Sequence, residues 1–157
     1  SASGGAKYVL GALKYANKCK SNTALITFNN IEKNNFIDQI VSIIVGPEII
    51  TGSTRMKAGT ATKMILNMIS TTAMIKLNKV YDNLMVDVKV SNKKLKARAI
   101  HIISDITKLS SSKSSSLLKL ANNDVKVALV MNHANLSYDS ACEFLELNKG
   151  KLRNILE

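Results

Sequence analysis

The stretch "GPEIITGSTRMKAGTATKMILNMISTTAMIKL", residues 46–77, decides the fold of this chain. It opens with a glycine and with Pro47, the only proline of the sequence, so a strand that reaches this point must end there. Hydroxyl, carboxylate and cationic side chains then crowd into residues 48–57. Apolar residues at helical spacing follow, and they predict a long, largely buried helix from about Met56 to Lys79, whose methionines fill the core.

Two short apolar runs before this stretch predict buried strands. They are "NTALITF" (22–28) and "QIVSIIV" (39–45), both of which contain several β-branched residues. Residues 1–20 begin with "SASGG" and continue with the period of a helix. The order helix, strand, strand, helix indicates part of an α/β unit with a parallel sheet. Because two strands are too few for a complete sheet, we expect the chain to be part of a longer protein.

The segment after the long helix is predicted to be an extended connection, "VYDNLMVDVKV" (80–90), which leads into another helix. Ser91 or Asn92 is the expected N-cap of that helix, which runs to about Lys108. The low-complexity stretch "SSSKSSS" (110–116) is predicted to be a polar link.

This link predicts two domains, an α/β domain over residues 1–109 and a small helical domain over residues 110–157. Apolar residues in the second domain recur at the spacing of short packed helices. The predicted helices cover 116–122, 124–134, 137–147 and 150–157.

The formal charge of +11, from 22 basic and 11 acidic residues, suits an anionic partner. The lysines are spread along the chain without an arginine block or interleaved aromatic residues, which disfavours nucleic-acid binding. An anionic small molecule fits the same charge. Cys19 and Cys142 lie far apart, and no apolar run is long enough to cross a bilayer. We therefore expect a cytoplasmic protein with no membrane partner.

Two loops share a composition that suits phosphate. "SASGG" (1–5) and "TGSTR" (51–55) each place hydroxyls and a glycine at the start of a helix, where free N–H groups and the helix dipole attract anions. Arg55 and Lys57 add positive charge beside the second loop. Ligands bind at the carboxyl ends of strands in open α/β sheets. Together the loops predict a site for a phosphorylated small molecule.

Plainer interpretations of the same residues stay open. A turn rich in serine, threonine and glycine is often only a helix cap, and Glu48 could offset Arg55 or cap the helix. His101 and His133 lie on apolar helical patterns without a Cys, Asp or Glu at ligand spacing, which favours packing or surface roles. No metal and no cofactor are predicted.

Residues 46–63, "GPEIITGSTRMKAGTATK", resemble the signature of the N-acetylmuramic acid 6-phosphate etherases and of the related glucokinase regulatory proteins. The resemblance continues through residues 66–99, and residues 1–16 resemble the second phosphate loop of the family. The tail resembles the C-terminal helical domain, which is similar to ubiquitin-associated folds. The resemblance implies the C-terminal half of a SIS (sugar isomerase) domain, with parallel strands flanked by helices, and a homodimer.

The reaction implied by the resemblance is cleavage of the D-lactyl ether of N-acetylmuramic acid 6-phosphate, which gives N-acetylglucosamine 6-phosphate and D-lactate. It proceeds by acid–base elimination and addition of water without a metal. The resemblance assigns substrate binding to Ser1, Ser3, Gly4, Glu48, Ser53, Thr54, Arg55 and Lys57. The family's two acid–base glutamates precede the first residue here, so no catalytic residue is assigned beyond Glu48 as a candidate supporting carboxylate. We expect the isolated chain to be inactive.

One departure from the family pattern lies in the first loop. Gly5, Ala6 and Lys7 stand where family members usually carry arginine, threonine and proline. A cation and a hydroxyl are therefore missing, which bears on phosphate binding and on the choice of substrate. The alternative function is a non-catalytic sugar-phosphate sensor of the glucokinase regulator type.

Overall fold

The computed structural model describes all residues, 1–157, as a mixed structure of helices and short strands. Its contacts form two compact units, Ser1–Ser70 and Thr71–Glu157. The predicted domain boundary between residues 109 and 110 stays a prediction. The elements are α1 (Lys7–Lys18), β1 (Ala24–Thr27), β2 (Gln39–Ser42), α2 (Lys57–Lys76), β3 (Val80–Tyr81), β4 (Leu84–Met85), α3 (Lys93–Thr107), α4 (Ser111–Leu120), α5 (Val125–Ala134), α6 (Tyr138–Leu147) and α7 (Arg153–Leu156).

The first unit is built around β1 and β2, which pair in parallel as predicted. Ala24 lies opposite Gln39 and Thr27 lies opposite Ser42. The amino ends of the strands are fixed by the Asp38 carboxylate, which accepts hydrogen bonds from Thr23 N at 2.7 Å and Thr23 Oγ1 at 3.0 Å. The Thr23 hydrogen bonds, the backbone one first, hold the pKa of Asp38 below its ordinary value. This register brings the carboxyl ends of both strands to one edge.

The long helix α2 is where the sequence prediction was wrong about burial. Its bounds agree within a few residues with the predicted ones, but only Ala58 and Ile65 are buried. These two pack with Phe28 in a small core. The methionines here are between 38% and 58% exposed, so they do not fill a core; they are Met56 just before the helix and Met64, Met68 and Met74 within it. Apolar residues occur almost all round the helix, and the two strands cover only one side.

The second unit contains, after the last residues of α2, the antiparallel hairpin β3–β4, where a simple extended connection was predicted. Asn92 caps α3 as predicted, and its Oδ1 accepts a hydrogen bond from Leu95 N at 2.9 Å. The serine-rich stretch 110–116 is not a link, since Ser110 caps α4 and the rest forms its first turns. The buried core of the second unit is formed by residues at the end of the hairpin and at the five helices α3–α7. They are Val86, Ala99, Ile102, Ile103, Leu118, Ala121, Val125, Val127, Ala128, Leu129, Val130, Ala141, Leu145, Leu152 and Ile155.

One side chain in this core is polar and has no partner. Ser114 of α4 is fully buried, and its hydroxyl forms no hydrogen bond. We expect Ser114→Ala to raise the free energy of unfolding by about 1 kcal/mol, because the desolvated hydroxyl is removed. The thermal midpoint should rise by roughly 2–4 °C in a scanning calorimeter. Ser116→Ala is the matched control, since Ser116 is exposed on the same helix and gains only the helix propensity of alanine. Equal shifts for both variants would contradict the explanation.

None of the helices is both long enough and apolar enough to cross a membrane.

Candidate functional site

The loop before α1 is attached to the carboxyl end of β1. Phe28 N donates to the carbonyl oxygen of Ala2 at 2.9 Å, and Thr27 Oγ1 donates to the same oxygen at 3.3 Å. The backbone nitrogen of Ser1 donates to the carbonyl oxygen of Ile26 at 3.0 Å. The loop is therefore held beside the strand, and it carries Ser3 to the edge where β1 ends.

Gly4 makes this attachment possible. Its φ of +79° lies in the left-handed region, which residues with a Cβ avoid. A Cβ on Gly4 would lie 2.6 Å from Ile31 Cγ2 and 3.1 Å from Thr27 Oγ1. The loop is thus packed against its neighbours at a point where only glycine fits without rearrangement.

The signature loop is tied to the start of α2 by Glu48. Its Oε2 accepts a hydrogen bond from Lys57 N and its Oε1 accepts one from Ala58 N, both at 3.0 Å. These hydrogen bonds, Ala58 first, hold the pKa of Glu48 below its ordinary value. The Glu48 carboxylate therefore caps the start of α2. Capping was one of the two roles that the sequence left open for Glu48.

The two cations of the signature loop differ in their surroundings. Lys57 Nζ donates to the carbonyl oxygen of Pro47 at 2.7 Å, so it holds the Gly46–Pro47 turn against α2. Arg55 is exposed, and its guanidinium forms no ion pair or hydrogen bond within the chain. Arg55 is thus the cation that is free to meet an anion.

A cavity of about 180 Å³ opens between the two loops at the carboxyl ends of the strands. Ser3, Glu48 and Thr54 are the predicted site residues that line it. It is completed by Ala2, Phe28, Asn29, Val45, Gly46 and Ala58. The other predicted site residues flank the cavity along the chain without lining it (Ser1, Gly4, Ser53, Arg55 and Lys57).

Asn29 is the polar lining residue that the sequence analysis did not select. It follows directly after the buried residues Thr27 and Phe28 at the end of β1. A polar side chain immediately after a buried parallel strand points to a ligand edge. That position was the signal from which it could have been found.

The comparisons with known proteins agree with the signature. Residues 82–140 match the family model described as the C-terminal lid domain of glucokinase regulatory protein. The N-acetylmuramic acid 6-phosphate etherase 1 of Bacillus licheniformis is 51% identical over 156 residues, which cover 99% of this chain and 51% of the relative. The etherase of Bacillus subtilis is 48% identical over 157 residues, covering 99% and 52%.

A relative of similar name with lower identity is found in another bacterium. The N-acetylmuramic acid 6-phosphate etherase 2 of Vibrio cholerae is 43% identical over 157 residues, with 99% of this chain and 51% of the relative covered. The chain spans about half the length of these curated relatives. The resemblance predicted from the signature is confirmed: along nearly its whole length, the chain is similar to about half of an N-acetylmuramic acid 6-phosphate etherase.

Proposed function

We propose that these residues form the phosphosugar-binding part of an N-acetylmuramic acid 6-phosphate etherase. The enzyme cleaves the D-lactyl ether of its substrate and releases N-acetylglucosamine 6-phosphate and D-lactate. The observation that carries the proposal is the cavity at the carboxyl ends of β1 and β2, which is lined by both hydroxyl-rich loops. The similarity to the etherases over 99% of the chain is the reason for assigning N-acetylmuramic acid 6-phosphate to that cavity.

The start of α1 suits a phosphate group. Ala6 provides no side-chain cap, and the first turn of the helix contains no acidic residue. Its backbone N–H groups and the positive end of the helix dipole are therefore available to an anion. Ser3 lies in the preceding loop, and Lys7 restores a cation to the segment that lacks the family's arginine. We assign phosphate and sugar-hydroxyl contacts to Ser3 and Ser53, with Ser1, Gly4 and Thr54 shaping the loops around them.

The chemistry requires a base that removes the proton next to the carbonyl of the opened sugar. An acid protonates the departing lactate, and water then adds to the double bond. Glu48 is a poor base, because both its oxygens accept amide hydrogen bonds and its pKa is lowered. It is a supporting carboxylate that fixes the signature loop. Arg55 is the group that can stabilise the negative charge that develops as the proton leaves.

The finer architecture belongs to the same proposal. We assign residues 1–109 to the C-terminal half of a SIS domain, for which the parallel pair β1–β2 and its flanking helices are the support. The short helices α4–α7 suit a small ubiquitin-associated-like domain. The homodimer is proposed through the SIS domain, and the exposed apolar residues of α2 support an interface on that helix.

The test is release of D-lactate from N-acetylmuramic acid 6-phosphate by the full-length protein that carries these residues. We expect the full-length protein to release D-lactate, measured with a D-lactate dehydrogenase assay. The isolated chain should release none, because its cavity offers no free carboxylate. Release by neither protein would reject the etherase function, and release by the isolated chain would reject the assignment of the acid–base groups outside it.

We expect Arg55→Ala in the full-length protein to lower kcat/KM by at least about tenfold, which is roughly 1.4 kcal/mol on the barrier. The reason is that the variant loses the unpaired guanidinium of the signature loop, which can stabilise negative charge in the reaction. Lys63→Ala is the control, since Lys63 is an exposed cation further along α2. Kinetics equal to those of the control would make Arg55 a structural residue.

The sensor of the glucokinase regulator type is the second candidate, favoured by the match of residues 82–140 to the regulatory protein's lid domain. Such a protein binds a sugar phosphate without cleaving it. Binding of N-acetylmuramic acid 6-phosphate in a calorimeter, without any release of D-lactate, would select this function.

A further inference from the structure

Asn29 is held in place at the cavity from both sides of its backbone. Its N–H donates to Thr27 Oγ1 at 3.4 Å, and its carbonyl oxygen accepts a hydrogen bond from Ser42 Oγ at 2.9 Å. Thr27 is itself completely buried, and Ser42 is the last residue of β2. Both neighbouring strands therefore contribute a hydroxyl that fixes the main chain of this one residue.

The side chain of Asn29 is left without a partner. The residue is exposed and lines the cavity, and its amide forms no hydrogen bond within the chain. A carboxamide offers two donors and one oxygen acceptor but no charge. Because the backbone is already fixed, only the side chain of Asn29 must be ordered when a ligand binds, which leaves more of its hydrogen-bond energy for affinity and specificity.

Two of the other polar side chains at the cavity, Glu48 and Ser3, are already engaged. The Glu48 carboxylate is bonded to two amides of α2, and Ser3 Oγ accepts a hydrogen bond from Gly5 N at 3.3 Å. The cation of the signature loop, Arg55, does not line the cavity. Asn29 and Thr54 are thus the polar lining side chains without a partner, and Asn29 is the only carboxamide, whose uncharged donors and acceptor suit a neutral polar group better than a phosphate.

We infer that Asn29 is a specificity-determining contact to a neutral polar group of the bound sugar phosphate, a hydroxyl or an acetamido group. The inference rests on the proposed function, since it takes the cavity as a sugar-phosphate site. Ser42 is a positioning residue that acts through the backbone of Asn29, and Thr27 positions both Asn29 and the loop at Ala2. The amide selects for the sugar, while the helix start and the basic side chains bind the phosphate.

The experiment measures binding of N-acetylglucosamine 6-phosphate and of inorganic phosphate to the full-length protein by calorimetry. We expect Asn29→Ala to weaken binding of the sugar phosphate by at least about tenfold, because the polar group of the sugar loses its hydrogen-bond partner. Binding of inorganic phosphate should not change. Asn30→Ala is the matched control, because Asn30 is exposed and adjacent but does not line the cavity.

The positioning residues provide a second readout. Thr27→Val removes a hydroxyl that bonds both Asn29 N and the carbonyl oxygen of Ala2 and should weaken sugar-phosphate binding, whereas Thr27→Ser keeps a hydroxyl and should retain that binding. Equal sugar-phosphate binding by Asn29→Ala and Asn30→Ala would overturn this inference alone. A parallel loss of phosphate binding in Asn29→Ala would overturn the neutral-group assignment. A wild-type protein that binds no sugar phosphate would overturn both this inference and the proposed function.

Discussion

Replacement of Gly4 by alanine is expected to abolish measurable sugar-phosphate binding and to destabilise the first unit. The backbone at Gly4 has a φ of +79°, and holding a residue with a Cβ there costs about 1–2 kcal/mol. The new Cβ would also lie 2.6 Å from Ile31 Cγ2, so the isoleucine or the loop must move. We expect a total loss of about 2–3 kcal/mol in the free energy of unfolding and a fall in the thermal midpoint of roughly 5–10 °C.

The functional part of this effect arises because the loop that carries Ser3 is displaced from the carboxyl end of β1. A shift of about 1 Å in a positioning segment can lower the rate by about a hundredfold, and we expect a loss of at least that size in kcat/KM. Gly5→Ala is the control, since a Cβ there would meet only Ser3 Oγ at 3.9 Å and its backbone φ is not positive. A Gly4→Ala protein with the midpoint and the turnover of Gly5→Ala would show that the loop is not a fixed part of the site.

Replacement of Glu48 by alanine should loosen the signature loop at the start of α2, where the Lys57–Pro47 hydrogen bond would remain. The carboxylate accepts hydrogen bonds from two backbone amides, at Lys57 and Ala58, and alanine offers neither bond. We expect kcat/KM of the full-length protein to fall by about a hundredfold, because Thr54 and the turn after β2 lose their fixed position at the cavity. Glu32→Ala is the control for loss of charge, since Glu32 is exposed and forms no ion pair.

The same carboxylate should make the first unit sensitive to acid. The folded-state pKa of Glu48 lies below its ordinary value of 4.5, so the ionised form is favoured in the folded protein. Its contribution is complete above that ordinary pKa and is lost as the pH falls through the lowered folded-state pKa. We expect the wild-type midpoint to exceed that of Glu48→Gln at pH 7 and the gap to close in strong acid. Asp38 contributes in the same direction in both proteins, and a gap that does not depend on pH would exclude the ionised cap.

The sequence predicted the order of elements well, because the signals were local. Gly46 and Pro47 mark the end of the second strand region, and Asn92 is a strong N-cap before an apolar period. The serine-rich stretch was misassigned because composition was weighed above helix capping. Ser110 caps α4. Ser114 and Leu118 lie one turn apart on that helix, and both are buried in the core.

Burial and the site could be predicted only in part, because they depend on contacts between distant residues. The spacing of apolar residues along α2 does not show which other elements pack against the helix. The methionines of α2 are exposed, although they were predicted to lie in a core. Ser3 and Thr54 were selected by composition, and the structure places both at one cavity. Asn29 is held at that cavity because its backbone forms hydrogen bonds with Thr27 and Ser42. Sequence patterns do not reveal such hydrogen bonds.

Oxidation of the exposed methionines of α2 can report whether other parts of the protein cover this helix. A thioether that water reaches is converted by peroxide to the sulfoxide, which adds one oxygen to its mass, while a covered thioether reacts slowly. Met64 and Met68 are 58% and 57% exposed in the chain by itself. The extent of their oxidation in the full-length protein therefore measures how much of this helix is shielded, and the polar sulfoxides themselves would weaken any apolar contact made there.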